Sequence, residues 1–183
     1  MINMENIIVK PQWITDLDQS KRSRMIDLIL ESIKDEGMLG FEEGHKQSIF
    51  NFVDDFSSRL SGNSCWLLQA EIGNELAYSV IMERWGNPTG SHIAELKKAI
   101  VNPKFRGNGL VLNAIFEILK KAEIENIDRF VIDVREGTRA EKLWRSLGFK
   151  EFGRIDDYSR YKGNSYRGVY MTALRSELLS KKP

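Results

Sequence analysis

The stretch AIVNPKFRGNGLVLNAIFEILKK, Ala99 to Lys121, restricts the fold more than any other part of the chain. A β-like run, a proline, Arg-Gly-Asn-Gly and a helical pattern follow one another without a gap. The chain must therefore leave a strand, turn tightly and re-enter as a helix. The spacing predicts that this helix buries Leu112, Ile115, Phe116 and Leu119 and turns Asn113, Glu117 and Lys120 to solvent. Just beyond it, RFVIDV (Arg129–Val134) is a short, nearly continuous apolar run, which suits a strand covered on both faces.

Such a glycine turn either holds a phosphate or only redirects the chain. Two phosphate-binding templates fail here. No Gly-Lys-Ser/Thr follows these glycines, so there is no Walker loop, and a GxGxxG reading would need glycine at Leu112. The physical reason to expect an anion survives both failures. Residues 107–111 lie where the first amides of a helix lack intrahelical acceptors and the helix dipole favours negative charge. Glycine lets the backbone approach a phosphate closely, and Arg106 can add a charge-assisted contact.

The rest of the chain supplies layers around this unit. MIDLILESIKDEG sets Met25, Leu28, Ile29 and Ile33 on one stripe with Gly37 as a stop, and Ile49, Phe52, Val53, Phe56 and Leu60 repeat the pattern. SCWLLQAEI and ELAYSVIMERW flank Gly73-Asn74 as a hairpin, and IAELKKAIV is the strand that enters the glycine turn. TRAEKLWRSL is a helix ending at Gly148, and the tail reads as two strands joined around Lys162-Gly163-Asn164. The order ααββ-β-α-β-α-ββ predicts an α/β or α+β sheet with helices on its faces. With no repeat, low-complexity tract or composition break, a single domain over residues 1–183 is expected.

Composition narrows the partners. Lys and Arg number 27 against 26 Asp and Glu, so no broad basic field invites nucleic acid. Cys65 is the only cysteine, which excludes an internal disulfide and thiolate metal cages; its apolar neighbours point to a buried strand thiol. His45 and His92 stand far apart with no HExxH pair, so no metal site is expected. The amino end lacks a basic start before a long apolar run, and no stretch approaches 18 apolar residues. Neither membrane nor secretion is therefore expected, and the cytoplasm is the default.

Taken together, Val101-Asn-Pro-Lys-Phe-Arg106-Gly107-Asn108-Gly109-Leu110, the apolar helix, VIDV and Leu143-Trp144-Arg-Ser-Leu-Gly148-Phe149 resemble the GNAT N-acetyltransferase superfamily. The likeness spans roughly residues 64–174, with less distinct acceptor-side helices over about 20–62. Within the superfamily it is nearest to the tabtoxin-resistance type of small-molecule acetyltransferase. The resemblance implies a mixed, mostly antiparallel sheet with a splayed central parallel pair and helices on both faces. It implies acetyl-coenzyme A as cosubstrate, its pyrophosphate cradled by Arg106, Gly107, Asn108, Gly109, Leu110 and Val111, with Gly137 and Thr138 also at the cofactor. A backbone amide within Ala99, Ile100 and Val101 would meet the carbonyl oxygen. A homodimer is a further expectation at family level.

Acetyl transfer to an amine needs the amine neutral, and deprotonating an alkylammonium at pH 7 costs about 4–5 kcal/mol. A carboxylate aimed at the amine offsets part of that. Glu95, on the strand before the turn, and Asp133, near the end of the next strand, are the candidates for general base or for orienting the acceptor. Phe41, Asp156 and Tyr158 lie in the two segments that wall the acceptor side in this superfamily; Glu42, Glu43 and Asp157 would also suit a cationic amine. Three positions depart from the family pattern: Trp144 where tyrosine usually serves the leaving thiolate, Val111 in place of a small residue, and Gly137 where asparagine is frequent. Indole is no useful acid, so either Tyr158, Tyr161 or water supplies that proton or the thiolate leaves unassisted. An acetyltransferase acting on a small amine is the leading expectation. A protein acetyltransferase and a non-catalytic acyl-coenzyme A-binding module remain beside it.

Overall fold

The computed structural model of the chain describes residues 9–36, 40–41, 44–60 and 62–179. Gly37, Glu42 and Glu43 lie outside them. Seven strands form one sheet in the order β1-β2-β3-β4-β5-β7-β6. They are β1 Lys10–Ile14, β2 Cys65–Ile72, β3 Glu75–Arg84, β4 Ile93–Val101, β5 Arg129–Arg135, β6 Lys150–Tyr161 and β7 Asn164–Leu174. The helices are α1 Gln19–Glu36, α2 Lys46–Arg59, α3 Leu110–Ile124, α4 Arg139–Leu147 and α5 Arg175–Leu179. The sheet is mostly antiparallel with one parallel pair, β4 and β5. Among the described residues no helix is long and apolar enough to cross a membrane. By its contacts the chain divides into two compact units, residues 1–81 with 98–117 and residues 82–97 with 118–183.

In the first unit the apolar stripes of α1 and α2 do what their spacing predicts. Met25, Leu28, Ile29 and Ile33 meet Ile49, Val53 and Phe56, and the cluster continues into Cys65, Leu67, Leu76, Ile81 and Ile100 of the strands. Leu68 and Ala70, on the alternate positions of β2, are buried outside this cluster, so β2 is covered on both faces. Cys65 is a buried core thiol. Strand β1 is one the sequence pattern does not announce. It pairs antiparallel with β2 from Lys10↔Glu71 to Ile14↔Leu67, and Pro11 is tolerated there because an edge strand can spare an amide. Asp18 then starts α1, its carboxylate accepting from the Lys21 amide at 2.9 Å.

Helix α3 follows the glycine turn as expected, but its buried stripe is shifted. Leu110, Ala114, Ile115, Ile118, Leu119 and Ala122 are buried, whereas Leu112 and Phe116 are exposed. Small alanines carry the stripe, and the larger residues beside it misdirect a reading based on bulk. Asn113, expected in solvent, is half-buried and accepts from the buried Tyr78 hydroxyl at 2.9 Å.

In the second unit, β7 pairs with β5 over seven residue pairs and with β6 on its other side. The apolar run of β5 is not covered on both faces. Phe130, Ile132 and Val134 are buried, while Arg129, Val131, Asp133 and Arg135 alternate on a half-exposed polar face. β6 and β7 meet in a two-residue turn with Lys162 at φ 49° and Gly163 at φ 78°, the twist a tight hairpin requires. Helix α4 is capped as its sequence promises. The Thr138 hydroxyl accepts from the Glu141 amide at 3.2 Å, and Gly148 closes the helix at φ 106°.

Candidate active site

The glycine turn, in the first unit, is rigid where it meets the strand and open where it meets solvent. Asn102 is buried; its side chain donates to Leu76 C=O at 3.0 Å and accepts from the Lys104 amide at 3.1 Å. The Arg106 guanidinium donates to Val101 C=O at 3.2 Å, and the Asn108 amide group donates to Phe105 C=O at 2.9 Å. Gly107 and Gly109 have φ of 82° and 72°, and a Cβ added to either would meet nothing within 4 Å. The first intrahelical bond of α3 runs from the Asn113 amide to Gly109 C=O at 3.2 Å. The amides of Leu110, Val111 and Leu112 therefore have no intrahelical acceptor, and they gather at the positive end of the helix dipole. Such an arrangement suits an anion, with glycine Cα atoms for walls.

Upstream of it, Ala99 is exposed, Ile100 is anchored in the core cluster and Val101 is half-buried. Lys98 takes φ 46°, which breaks the regular strand just before them. An irregular strand can turn amides away from its ladder. The Lys98 ammonium lies 4.7 Å from the centre of the Phe41 ring, and Phe41 packs edge-on against Phe52.

The second unit carries the carboxylates. Pairing between β4 and β5 covers Ile93–Glu95 against Arg129–Val131. β5 keeps its β7 partners through Arg135. Glu95 thus stands at the last paired position and Asp133 two residues beyond it, on the same face because strand side chains alternate. Tyr170, directly across from Asp133, shares that face.

Two tyrosines converge on Asp133. Its carboxylate accepts a hydrogen bond from the Tyr158 hydroxyl. The Tyr158 ring meets Tyr170 edge-on at 6.2 Å. Burial, then the charges of Asp133 and Glu95, push the Tyr170 phenol above its ordinary pKa, so it stays protonated at neutral pH. Tyr158 reaches this place through a bulge, since residues 156–158 of β6 stand opposite Arg167 alone, with Asp157 at φ 55°. Its side chain packs against Gly168, where a Cβ would fall 2.3 Å from Cγ.

Glu95 has different neighbours. Its carboxylate lies 3.0 Å from the Lys97 ammonium, which also lies 3.1 Å from Glu83 of β3. Burial alone would lower the Lys97 pKa, but Glu95 and Glu83 outweigh it and hold the ammonium above its ordinary value. A cleft of about 350 Å³ opens here, lined by Glu83, Arg84, Trp85, Asn87, Glu95 and Lys97. The Arg84 guanidinium is committed to Ser91 C=O at 2.7 Å and to Glu125.

The remaining expected site residues lie elsewhere or have other work. The Gly137 amide donates to Glu141 at 2.7 Å, and the Thr138 hydroxyl donates to Arg135 C=O at 2.8 Å. Both thus belong to the cap of α4. Burial pushes the Glu141 carboxyl up, but the Gly137 amide and Arg145 outweigh it and leave it below the ordinary range. Asp156 is exposed and paired with Arg167 at 2.6 Å. Trp144 meets Phe149 edge-on at 5.0 Å and is half-buried. Lys97, Glu83, Tyr170 and Gly168 escaped the sequence reading. Glu141 escaped it too, although Thr138-Arg-Ala-Glu141 has capping-box spacing.

Residues 27–149 match the sequence profile of the acetyltransferase (GNAT) family. No curated protein matches the chain significantly in sequence. Solved structures share the fold. A GNAT-family acetyltransferase from Streptococcus pneumoniae is 14% identical with a TM-score of 0.73, the alignment covering 91% of this chain and 99% of that one. A candidate phosphinothricin N-acetyltransferase is 17% identical with a TM-score of 0.72, over 91% and 98% of the two chains. A candidate acetyltransferase from Salmonella typhimurium, solved with its cofactor acetyl-CoA, is 12% identical with a TM-score of 0.70, over 93% and 95%.

Proposed function

The chain belongs to the GNAT acetyltransferase family, and from that premise we propose that it moves an acetyl group from acetyl-CoA to a primary amine of a small molecule by direct attack in a ternary complex. The observation that carries the reading is the end of the β4–β5 pairing, which leaves Glu95 at its edge and the Asp133–Tyr158 pair just beyond. The glycine cradle fits the diphosphate of the cosubstrate. Two glycines leave open the space a Cβ would fill, and three helix-end amides and Arg106 suit an anion. Arg106, Gly107, Asn108, Gly109, Leu110 and Val111 would hold that group, with an amide among Ala99, Ile100 and Val101 for the carbonyl oxygen. Bound acetyl-CoA supplies the thioester, whose C–S bond breaks as the amine nitrogen bonds to the acetyl carbon.

The residues then divide the proton work. Glu95 takes a proton from the incoming ammonium. The Tyr158 hydroxyl has its own proton committed to Asp133, so its oxygen is left to accept an amine N–H and orient the nucleophile. Of the two protons the ammonium gives up, one passes through Glu95 to solvent and the other ends on the thiolate sulfur. The Glu95→Gln variant should keep its acetyl-CoA-induced thermal shift and lose about 10²-fold or more in kcat/KM across a panel of small amines. Activity within a few-fold of the parent would remove Glu95 from the mechanism.

The packing of Trp144 against Phe149 favours a second reading, a non-catalytic acyl-CoA-binding module, because this indole serves the interior. That reading requires acetyl-CoA binding without amine-dependent thiol release.

A further inference from the structure

Between the two carboxylates of the cleft stands a cation that the reaction itself does not require. Lys97 lies two residues beyond Glu95 on β4, so both side chains project from one face. Its ammonium touches Glu95 at 3.0 Å and Glu83 at 3.1 Å, and all three line the same cleft. The pairs are neither buried nor fully exposed, with Lys97 at 39%, Glu95 at 29% and Glu83 at 25% side-chain exposure. Among the described residues no second cation pairs with Glu95. Arg84 of β3 is spent on Ser91 and Glu125, Asp133 of β5 on Tyr158, and Tyr170 of β7 is neutral.

We propose that Lys97 is a positioning residue for acetyl transfer. Held between Glu83 and Glu95, its ammonium fixes the Glu95 carboxylate at the edge of the cleft. Glu83 anchors the same ammonium from β3. The proposal rests on Glu95 acting as the base. It implies that kcat depends on both groups that hold Glu95 in place, while acetyl-CoA binding does not.

The test is kcat and KM for one amine acceptor, measured for the parent and for Lys97→Met, Lys97→Arg, Glu83→Gln and Glu95→Gln. Thermal unfolding and acetyl-CoA binding are measured alongside as fold controls. Lys97→Met releases the Glu95 carboxylate, so kcat should fall by about 10-fold or more while acetyl-CoA binding is kept. Glu83→Gln should lower kcat by a smaller factor, and Lys97→Arg should restore most of the parent kcat. A merely structural role for the triad would lower Tm and acetyl-CoA binding without this selective loss of kcat. A kcat unmoved in both Lys97→Met and Glu83→Gln, with Glu95→Gln inactive, overturns the role of Lys97 and leaves Glu95 as base. An active Glu95→Gln variant overturns both. If Lys97→Met fails to fold, Glu83→Gln decides: a lowered kcat supports the proposal and an unchanged one ends it.

Discussion

Gly168 is buried in β7, and a Cβ built on it would lie 2.3, 2.5 and 2.8 Å from Cγ, Cδ2 and Cβ of Tyr158. These atoms are the root of the side chain, so a change of rotamer cannot clear all three. The bulge at residues 156–158 must itself retreat by about 1 Å before the contact becomes ordinary. Overpacking of this kind costs about 1–3 kcal/mol. Gly168 does not need left-handed backbone, so alanine also removes unfolded-state freedom worth about 0.4–1 kcal/mol in the opposite direction. The net for Gly168→Ala is a loss of about 0.5–2 kcal/mol, or roughly 1–8 °C in Tm for a chain of this size. A double-mutant cycle with Tyr158→Gly supplies the control, since it deletes all three clashing atoms. In that background Gly168→Ala should be neutral or slightly stabilising. Thermal or urea unfolding of the four proteins reads the result. An unchanged Tm for Gly168→Ala, or the same loss in both backgrounds, refutes the contact between Tyr158 and Gly168.

Three further outcomes follow from the caps, the cradle and the surface charges. Acetyl-CoA at about 100 times its Kd should add roughly 2.7 kcal/mol, a rise of about 5–11 °C. Gly107→Val, which fills the open side of the cradle, should abolish that rise in thermal scans with and without ligand. Thr138→Ala removes the α4 cap and should cost about 1 kcal/mol, read as a fall of about 2–4 °C in Tm. Arg154 and then Arg145 hold the Glu151 carboxyl down to about 2, below its ordinary value of 4.5. Its folded pKa being the lower one, its contribution is complete above pH 4.5 and is lost as pH falls toward 2. Unfolding followed across that window should show a shallower decline in Glu151→Gln, and added salt should shrink the difference.

What the sequence made legible was whatever is written in consecutive residues. The Arg-Gly-Asn-Gly turn, the Thr138 and Gly148 caps and the Lys162-Gly163 hairpin stand where local backbone chemistry puts them. Legibility ends where a face or a partner is set from another part of the chain. RFVIDV reads as doubly covered, yet Val131 and Asp133 share an open face because only Phe130, Ile132 and Val134 point into the core. On α3 the small Ala114 and Ala122 carry the buried stripe, which hydrophobic bulk alone misplaces. The tie from Tyr158 to Asp133 depends on two extra residues in β6, and the Glu83–Lys97–Glu95 triad on the register of β3 against β4. No local pattern encodes either.

These two placements also separate two carboxylates which the sequence presents as equals. Glu95 faces a cation and Asp133 faces a hydroxyl, so the same isosteric change tests different chemistry at each. Glutamine at 95 cannot take up a proton, and if Glu95 is the base the loss falls on kcat/KM with the protein otherwise intact. Asparagine at 133 still offers a carbonyl oxygen to Tyr158, so Asp133→Asn should lose only the charge-assisted part of the bond and raise the amine KM by about 10-fold or less. Asp133→Leu, which strands the hydroxyl, should do more harm than Asp133→Asn, and Tyr158→Phe should remove most of that difference. If Asp133→Asn instead matched Glu95→Gln in its loss of kcat, Asp133 would be moving protons rather than holding Tyr158, and the division of work between the two would have to be reversed.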